Sequence, residues 1–487
     1  MALSTQAAFP PARLFIGGEW VEAEGGRTFE TLNPATEEAL CEVASASAGD
    51  VDRAVHSAHQ ALSGDWGRTS ARERGLLLWR IADALEARTE EFALLETLDN
   101  GKPIFESKFV DIPTCVKVLR YFAGWADKIS GETLAPEGPF LLGYTLRQPV
   151  GVVAAITPWN FPLIQAIYKI APALACGNAV VHKPASLTPL TALAFAELAS
   201  GVGLPAGALN VVTGGGSEVG GALVRHPTVA KVSFTGSTEV GRGLMRDAAE
   251  TIKRVTLELG GKSPNIVFAD ADVDAAVKGA YNGIFYGKGE VCAAGSRLIV
   301  ERTVHDELVD KLVARTRRLI PADPLDPKTR MGALVSEGQR DSVLSYVQVG
   351  RSEGAEVAVG GNAAQVGGKG WFMEPTVLTG VANTMRVAQE EIFGPVLATI
   401  PFDDPEEAVT LANASIYGLA AGVWTRDVAR AHDVAARIQA GTVWINQYNW
   451  YDPSVPFGGF KQSGFGRELG REALDAYTET KTVLVGR

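Results

Sequence analysis

Between Gly151 and Glu258 short β-rich runs alternate with Ala- and Leu-rich helical stretches, and this alternation constrains the fold more than any other feature. The runs are Val152 to Ile156, Ala179 to His182, Leu209 to Val212, Val229 to Phe234 and Val255 to Leu257. Strand, helix and strand in repetition require right-handed crossovers, hence a parallel sheet covered on both faces. Such sheets gather ligands at the carboxyl ends of their strands, where the loops collect. A second α/β block is expected from Pro264 onward. Its strands are Pro264 to Phe268 and Arg297 to Val300, its helices Asp272 to Tyr286 and Asp306 to Leu319, with the mixed pattern running through Trp444 and Asn446. At 487 residues the chain exceeds what one hydrophobic core supports, so two or three domains are expected.

Nearer the start, Ser70-Ala71-Arg72-Glu73 reads as a capping box. Behind it Leu77, Ile81, Leu85, Phe92 and Leu95 recur at helical intervals, and Gly101 follows as a stop. Glu132 to Arg147 is Gly/Pro-rich and partly β-like, as an arm or hairpin would be. There is neither an internal repeat nor a low-complexity linker.

Composition narrows the classes. With 46% hydrophobic and 21% charged residues the chain resembles an ordinary globular protein. No apolar run approaches the roughly 20 residues that span a bilayer, and Met1 to Trp20 lacks the pattern of a signal peptide. Cys41, Cys115, Cys176 and Cys292 are widely spaced without CxxC, which argues against zinc and against a disulfide framework. The six histidines form no evident cluster, so no metal is expected. A formal charge of −11 without a basic stripe disfavours nucleic acid. A cytoplasmic location and no membrane partner are the expectation.

Individual motifs are weaker. Gly214-Gly215-Gly216-Ser217-Glu218-Val219-Gly220 suits phosphate at a helix start, yet equally a tight turn, and is not GxGxxG. Phe234-Thr235-Gly236-Ser237-Thr238-Glu239-Val240-Gly241 is a second such turn, and two on adjacent units favour a nucleotide site. Cys292 sits among small residues that give access, and Lys288 and Arg297 are near enough in sequence to favour thiolate. An isolated cysteine is nevertheless more often a small buried hydrophobe. Glu258 closes a β-rich run where a general base would be well placed, or where a salt-bridged carboxylate would sit. Asn160 can donate to an oxyanion or cap the following helix. Lys183 can grip ribose hydroxyls or lie on the surface.

Taken together the motifs carry a resemblance. The Gly-rich frame of Cys292, Glu258-Leu259-Gly260-Gly261-Lys262, Phe234-Thr235-Gly236-Ser237, Trp159-Asn160-Phe161-Pro162, Glu390-Glu391-Ile392-Phe393-Gly394-Pro395 and Pro456-Phe457-Gly458-Gly459 look like the aldehyde dehydrogenase superfamily. Asn33-Pro34-Ala35-Thr36 and Lys461-Gln462-Ser463-Gly464 extend the likeness, which runs from about Phe15 to the C-terminus and is nearest to the hydrolytic NAD(P)+-dependent branch.

That resemblance implies an α/β fold of three parts. They are a Rossmann-like cofactor domain (1–126 and 150–260), an α/β catalytic domain (261–460), and a small β oligomerisation arm with the C-terminal segment (127–149 and 461–487). It further implies that Cys292 attacks the aldehyde, that Asn160 and the Cys292 backbone N–H hold the oxyanion, and that Glu258 activates the water releasing the acid from a thioester. Cofactor contacts are implied at Ile156, Thr157, Trp159, Lys183, Ser186, Gly216, Phe234, Gly236, Ser237, Leu259, Glu391 and Phe393. Lys183 and Glu391 would hold ribose, and Ser237 the pyrophosphate. At Ser186 many NAD-preferring relatives carry a glutamate that repels a 2′-phosphate, so NAD is expected with NADP accepted.

The substrate tunnel is implied at Phe161, Gln165, Tyr168, Tyr286, Val291, Ala293, Trp450, Tyr451 and Phe457. With no arginine or carboxylate obvious among them, a neutral aromatic or medium-chain aliphatic aldehyde is expected. Betaine or amino aldehydes are the alternative, because Tyr and Trp faces attract ammonium. CoA-acylating relatives generally lack the base that Glu258 supplies. A thiol esterase or a non-catalytic structural protein are the other classes. The likeness implies a homotetramer, as a dimer of dimers, or a homodimer.

Overall fold

The structure, a computed structural model, describes residues 8–138 and 140–486, the side chains of Phe140 and Leu141 apart. The first seven residues of the Met1 to Trp20 stretch therefore lie outside the described residues.

The five expected strands form the centre of an eight-stranded sheet. Its order is Glu19–Val21, Leu14–Ile16, Leu209–Val211, Ala179–Lys183, Val152–Ile156, Val229–Thr235, Arg254–Glu258 and Gly464–Phe465. The central five pair in parallel. Val152–Ile156 is buried throughout because both faces are covered, which is why it reads as continuous Val, Ala and Ile rather than as alternation. Strand order reverses beside Val152–Ile156: its two successors lie on one side and Val229–Thr235 on the other. Crossover chains leave such a point in opposite directions and open a crevice there.

The second block forms a seven-stranded sheet. It runs Glu356–Val359, Thr376–Thr379, Val396–Phe402, Arg297–Glu301, Pro264–Val267, Ala420–Trp424 and Thr442–Ile445. All its pairings are parallel except that of Glu356–Val359. A third sheet joins Thr133–Leu134, Phe140–Pro149 and Thr478–Gly486 in antiparallel fashion. The Glu132 to Arg147 stretch thus contributes two strands of an arm, with Pro139 outside the described residues.

Two expectations need correction. The periodic stretch before Gly101 is two helices, Ala71–Ala87 and Thr89–Asn100, interrupted at Arg88, whose φ and ψ of −108° and 23° are not helical. The capping box at Ser70 and Glu73 and the left-handed Gly101 stand as expected. The helix expected from Asp306 to Leu319 is Arg302–Thr316, because the strand Arg297–Glu301 passes into it without a loop. Within the C-terminal segment 461–487 the strands go to two sheets. Gly464–Phe465 pairs with Arg254–Glu258 on the large sheet, and Ala473, Leu474 and Tyr477 are buried in the main core, so only Thr478–Gly486 joins the arm.

Candidate active site

The backbone sets the site at the carboxyl ends of the large sheet. Ile156 and Thr157, Lys183, Thr235 to Ser237, and Glu258 with Leu259 all fall where their strands stop. Cross-strand bonds hold these ends in step: Thr157 N–H donates to the Lys183 carbonyl at 3.1 Å, and Gly236 N–H to that of Glu258 at 3.1 Å. Leu259 N–H donates to Ser463 at 2.9 Å, tying the C-terminal segment to the same edge.

Cys292 enters from the second block, in the turn that follows the helix Val273–Phe285 and the short coil of Tyr286–Gly289. Here the chain can approach only because Gly261 lacks a side chain, since a Cβ there would collide with the Cys292 carbonyl. Ala294 N–H donates to the Val291 carbonyl at 3.0 Å and closes the turn. The Cys292 N–H makes no backbone hydrogen bond among the described residues. Burial pushes the thiol up, the Glu258 and Glu391 carboxylates add to this, and the Ala293 N–H opposes it.

Lys288 and Arg297 do not do what their nearness in sequence suggested. Lys288 is buried and bound to Glu290 and to the Asn100 carbonyl and side chain. Arg297 donates to the carbonyls of Lys262, Leu411 and Ala412. Both cations are spent on structure.

Glu258 is buried with no hydrogen-bond partner on either oxygen. Its carboxyl is held well above the ordinary range by burial, and further by Glu468, while Lys169 pulls the other way. Lys169 is fully buried, donates to Thr235 Oγ1 at 2.7 Å and pairs with Glu468. Neither residue was singled out in the sequence, and no local pattern marks them. Asn160 does not cap the helix Pro162–Ala175, whose N-cap is Phe161. Its Nδ2 instead donates to the Glu290 carbonyl at 2.8 Å. An amide has two N–H groups, so one fixes the side chain and the other remains to donate.

The remaining positions fall on two sides. Lys183 is 4% exposed rather than superficial, has no carboxylate partner among the described residues, and burial lowers it to about 8. Ser186 donates to the Gly214 carbonyl at 2.7 Å, and Gly216 is exposed. Ser237 caps the helix Thr238–Ala249 through Val240 N–H. Gly236 lies against the Phe234 ring, which leaves no room for a side chain there. Trp159 meets Phe393 edge-on at 5.2 Å. Glu391 accepts from Gly261 N–H at 2.9 Å, and burial raises its carboxyl to about 7. A buried ammonium lacking acceptors, a carboxyl with an unused oxygen and a capped helix start form a donor and acceptor set that fits a dinucleotide's ribose hydroxyls and pyrophosphate.

On the other side a cavity of about 570 Å³ reaches Cys292. Phe161, Gln165, Tyr168, Tyr286, Val291, Tyr451 and Phe457 line it. Ala293 does not: it is wholly buried, and its carbonyl accepts from Tyr448 Oη at 2.9 Å. Trp450 does not either, since the residue is 68% exposed while its carbonyl accepts from Trp444 Nε1. The wall also carries Glu106, Arg315 and Arg330. The expectation that charged groups are absent is thereby corrected, because these come from segments far from the quoted motifs.

The sequence pattern described as the aldehyde dehydrogenase family matches residues 20–483. The chain belongs to the aldehyde dehydrogenase family. It is 48% identical to the mitochondrial aldehyde dehydrogenase of Rattus norvegicus over 476 residues, covering 97% of this chain and 91% of that one. It is 48% identical to retinaldehyde dehydrogenase 3 of Mus musculus, covering 97% and 92%. The aldehyde dehydrogenase of Bacillus cereus, solved in complex with NAD+, superposes with a TM-score of 0.96 at 49% identity, covering 98% of this chain and 96% of that one. The indole-3-acetaldehyde dehydrogenase of P. syringae, in complex with NAD+ and IAA, gives 0.97 at 48%, covering 99% and 98%. This family member is an oxidoreductase acting on aldehydes. Among the described residues no helix is long and apolar enough to cross a membrane.

Proposed function

We propose that the protein oxidises an aldehyde with an aromatic or medium-chain aliphatic body to the carboxylic acid, using NAD+ and a covalent thioester on Cys292. The observation that carries this reading is the convergence of Cys292, Glu258 and Asn160 between the cavity and the strand ends. Cys292 Sγ bonds to the aldehyde carbon after Glu258 takes the thiol proton, which a carboxylate of raised basicity does well. The carbonyl oxygen becomes an oxyanion whose proposed donors are the Cys292 N–H and the Asn160 N–H not used on the Glu290 carbonyl. NAD+, when bound, accepts the hydride. The carbon is left on Sγ as a thioester; Glu258 removes a proton from water, the water oxygen adds to that carbon, and the C–S bond breaks. Lys169 and Glu468 lie behind Glu258 as an ion pair able to carry its proton away.

The cofactor positions, from Ile156 and Thr157 through Lys183 and Ser237 to Glu391 and Phe393, are proposed as contacts of NAD+. Ser186 offers a hydroxyl where a glutamate would repel a 2′-phosphate, so NADP+ is proposed as a second cofactor. Residues 1–126 and 150–260 are read as the cofactor domain, 261–460 as the catalytic domain. Assembly into a homotetramer or homodimer is supported by exposed Leu134, Leu142, Leu146, Leu484 and Val485 on the arm, since apolar strand edges are normally covered. The expectation of a neutral substrate rested on absent arginines and loses that support.

The test is NADH absorbance after adding benzaldehyde or hexanal and NAD+. NADH formation that Cys292→Ala abolishes is the expected result, and a folded protein producing none with any aldehyde overturns the reading. Steady-state kinetics with NADP+ test the second cofactor; no detectable turnover removes it.

A further inference from the structure

The cavity that reaches Cys292 carries two positive groups where its wall is exposed. Arg315 comes from the helix Arg302–Thr316, and Arg330 from the loop that follows it. Both are exposed, whereas Phe161, Gln165 and Tyr168 on the same wall are buried. The guanidinium carbon of Arg330 stands 3.8 Å from the centre of the Phe105 ring, and that of Arg315 4.6 Å from that of Tyr281. Contact with an aromatic ring fixes a guanidinium while its N–H groups still radiate in its own plane.

Arg330 uses Nη1 on the Pro327 and Thr329 carbonyls. On the same helix as Arg315, Lys311 is paired with Asp274 and Glu307. Arg315 and Arg330, in contrast, pair with no carboxylate among the described residues. Behind these two cations a low-dielectric cavity focuses their field on whatever enters.

We propose that the preferred substrates are aldehydes bearing a carboxylate at the end remote from the carbonyl, received by Arg315 and Arg330 while the aromatic walls hold the body. This rests on the reading of Cys292 as nucleophile. A guanidinium fork matches a carboxylate in plane and charge. One acidic group, Glu106, lines the same cavity. It is buried, accepts from Gly287 N–H at 3.3 Å, and burial raises it to about 7, so at neutral pH it repels an anion less than an exposed carboxylate would. An ammonium group bound at Glu106 and the aromatic rings is the competing outcome.

The experiment compares kcat/KM for 4-carboxybenzaldehyde, 4-methylbenzaldehyde and 4-(trimethylammonio)benzaldehyde, and for ω-oxo carboxylates against alkanals of equal length. At low salt the carboxylated compound is expected to win by about tenfold at the best length, and the advantage to shrink as salt screens it. In the doubly substituted R315Q/R330Q protein the ratio of carboxylated to neutral substrate should fall about fivefold, and R315K/R330K, which keeps the charge but not the planar fork, should fall in between. NADH from neutral aldehydes with no carboxylate preference at any length overturns the inference alone. So does a best rate with the cation, or a ratio that the glutamines leave unmoved. NADH from no aldehyde overturns the Cys292 reading and this inference with it.

Discussion

At the scale of single residues, burial raises both the thiol of Cys292 and the carboxyl of Glu258, and the charge of each opposes that of the other. Such a pair shares one proton more readily than it loses two. Cys292→Ala should therefore abolish oxidation while NAD+ binding, followed by fluorescence titration, stays nearly intact. Glu258→Gln keeps the shape but not the basicity. Pre-steady-state mixing should show the first turnover of NADH slowed, since the thiol loses its base, and a steady rate lower by about 10² or more, the acyl group remaining on the enzyme. Undiminished steady turnover in that variant contradicts the assignment. The pH dependence has a fixed sign. A base with a raised pKa is protonated below it, so steady-state kcat should fall as pH drops through a value above the ordinary carboxylate range of about 4 to 5. A limb at or below that range would show that Glu258 is not the group being titrated.

Among elements, the loop carrying Cys292 is placed by close backbone approach as well as by burial of Val291, Ala293 and Ala294 in the core. Gly261 faces the Cys292 carbonyl while its own N–H is held by Glu391, so one glycine couples the strand ends to the Cys292 turn. Gly261→Ala must push the two apart. Because a shift on the order of 1 Å at a reacting atom costs about 10²-fold, kcat should drop by that much. Circular dichroism should remain that of the parent. The same loops were where sequence reading went furthest wrong in detail: Lys288 and Arg297 lie within a few residues of Cys292, yet their side chains turn away into carbonyl and carboxylate partners.

For the whole molecule, nine residues of Thr478–Gly486 pair with Phe140–Pro149 and complete the arm, leaving apolar side chains exposed on it. Light scattering should give the mass of four chains, or of two. Removing 478–487 strips a strand from that sheet and should lower the assembly state. A monomer in the full-length protein would remove the arm's proposed role.

The sequence by itself determined the parallel sheet, because runs of Val, Ile and Ala bounded by helical stretches are local and have one way to cover both faces. Helix caps at Ser70 and Gly101 were legible for the same reason, and the ordered motifs around Cys292 and Glu258 were enough to name the family. Convergence was not legible. Glu468 stands beside Glu258 only because Gly464–Phe465 pairs with the last large-sheet strand, more than two hundred residues away in sequence. Ala293 turns from the cavity although Cys292 lines it, since neighbouring residues in a turn point in different directions. Arg315 and Arg330 reach the cavity from a helix and a loop with no motif of their own. Periodicity and capping depend on neighbours along the chain, but the charge of a cavity depends on which distant segments pack around it. That was decided by the tertiary structure alone.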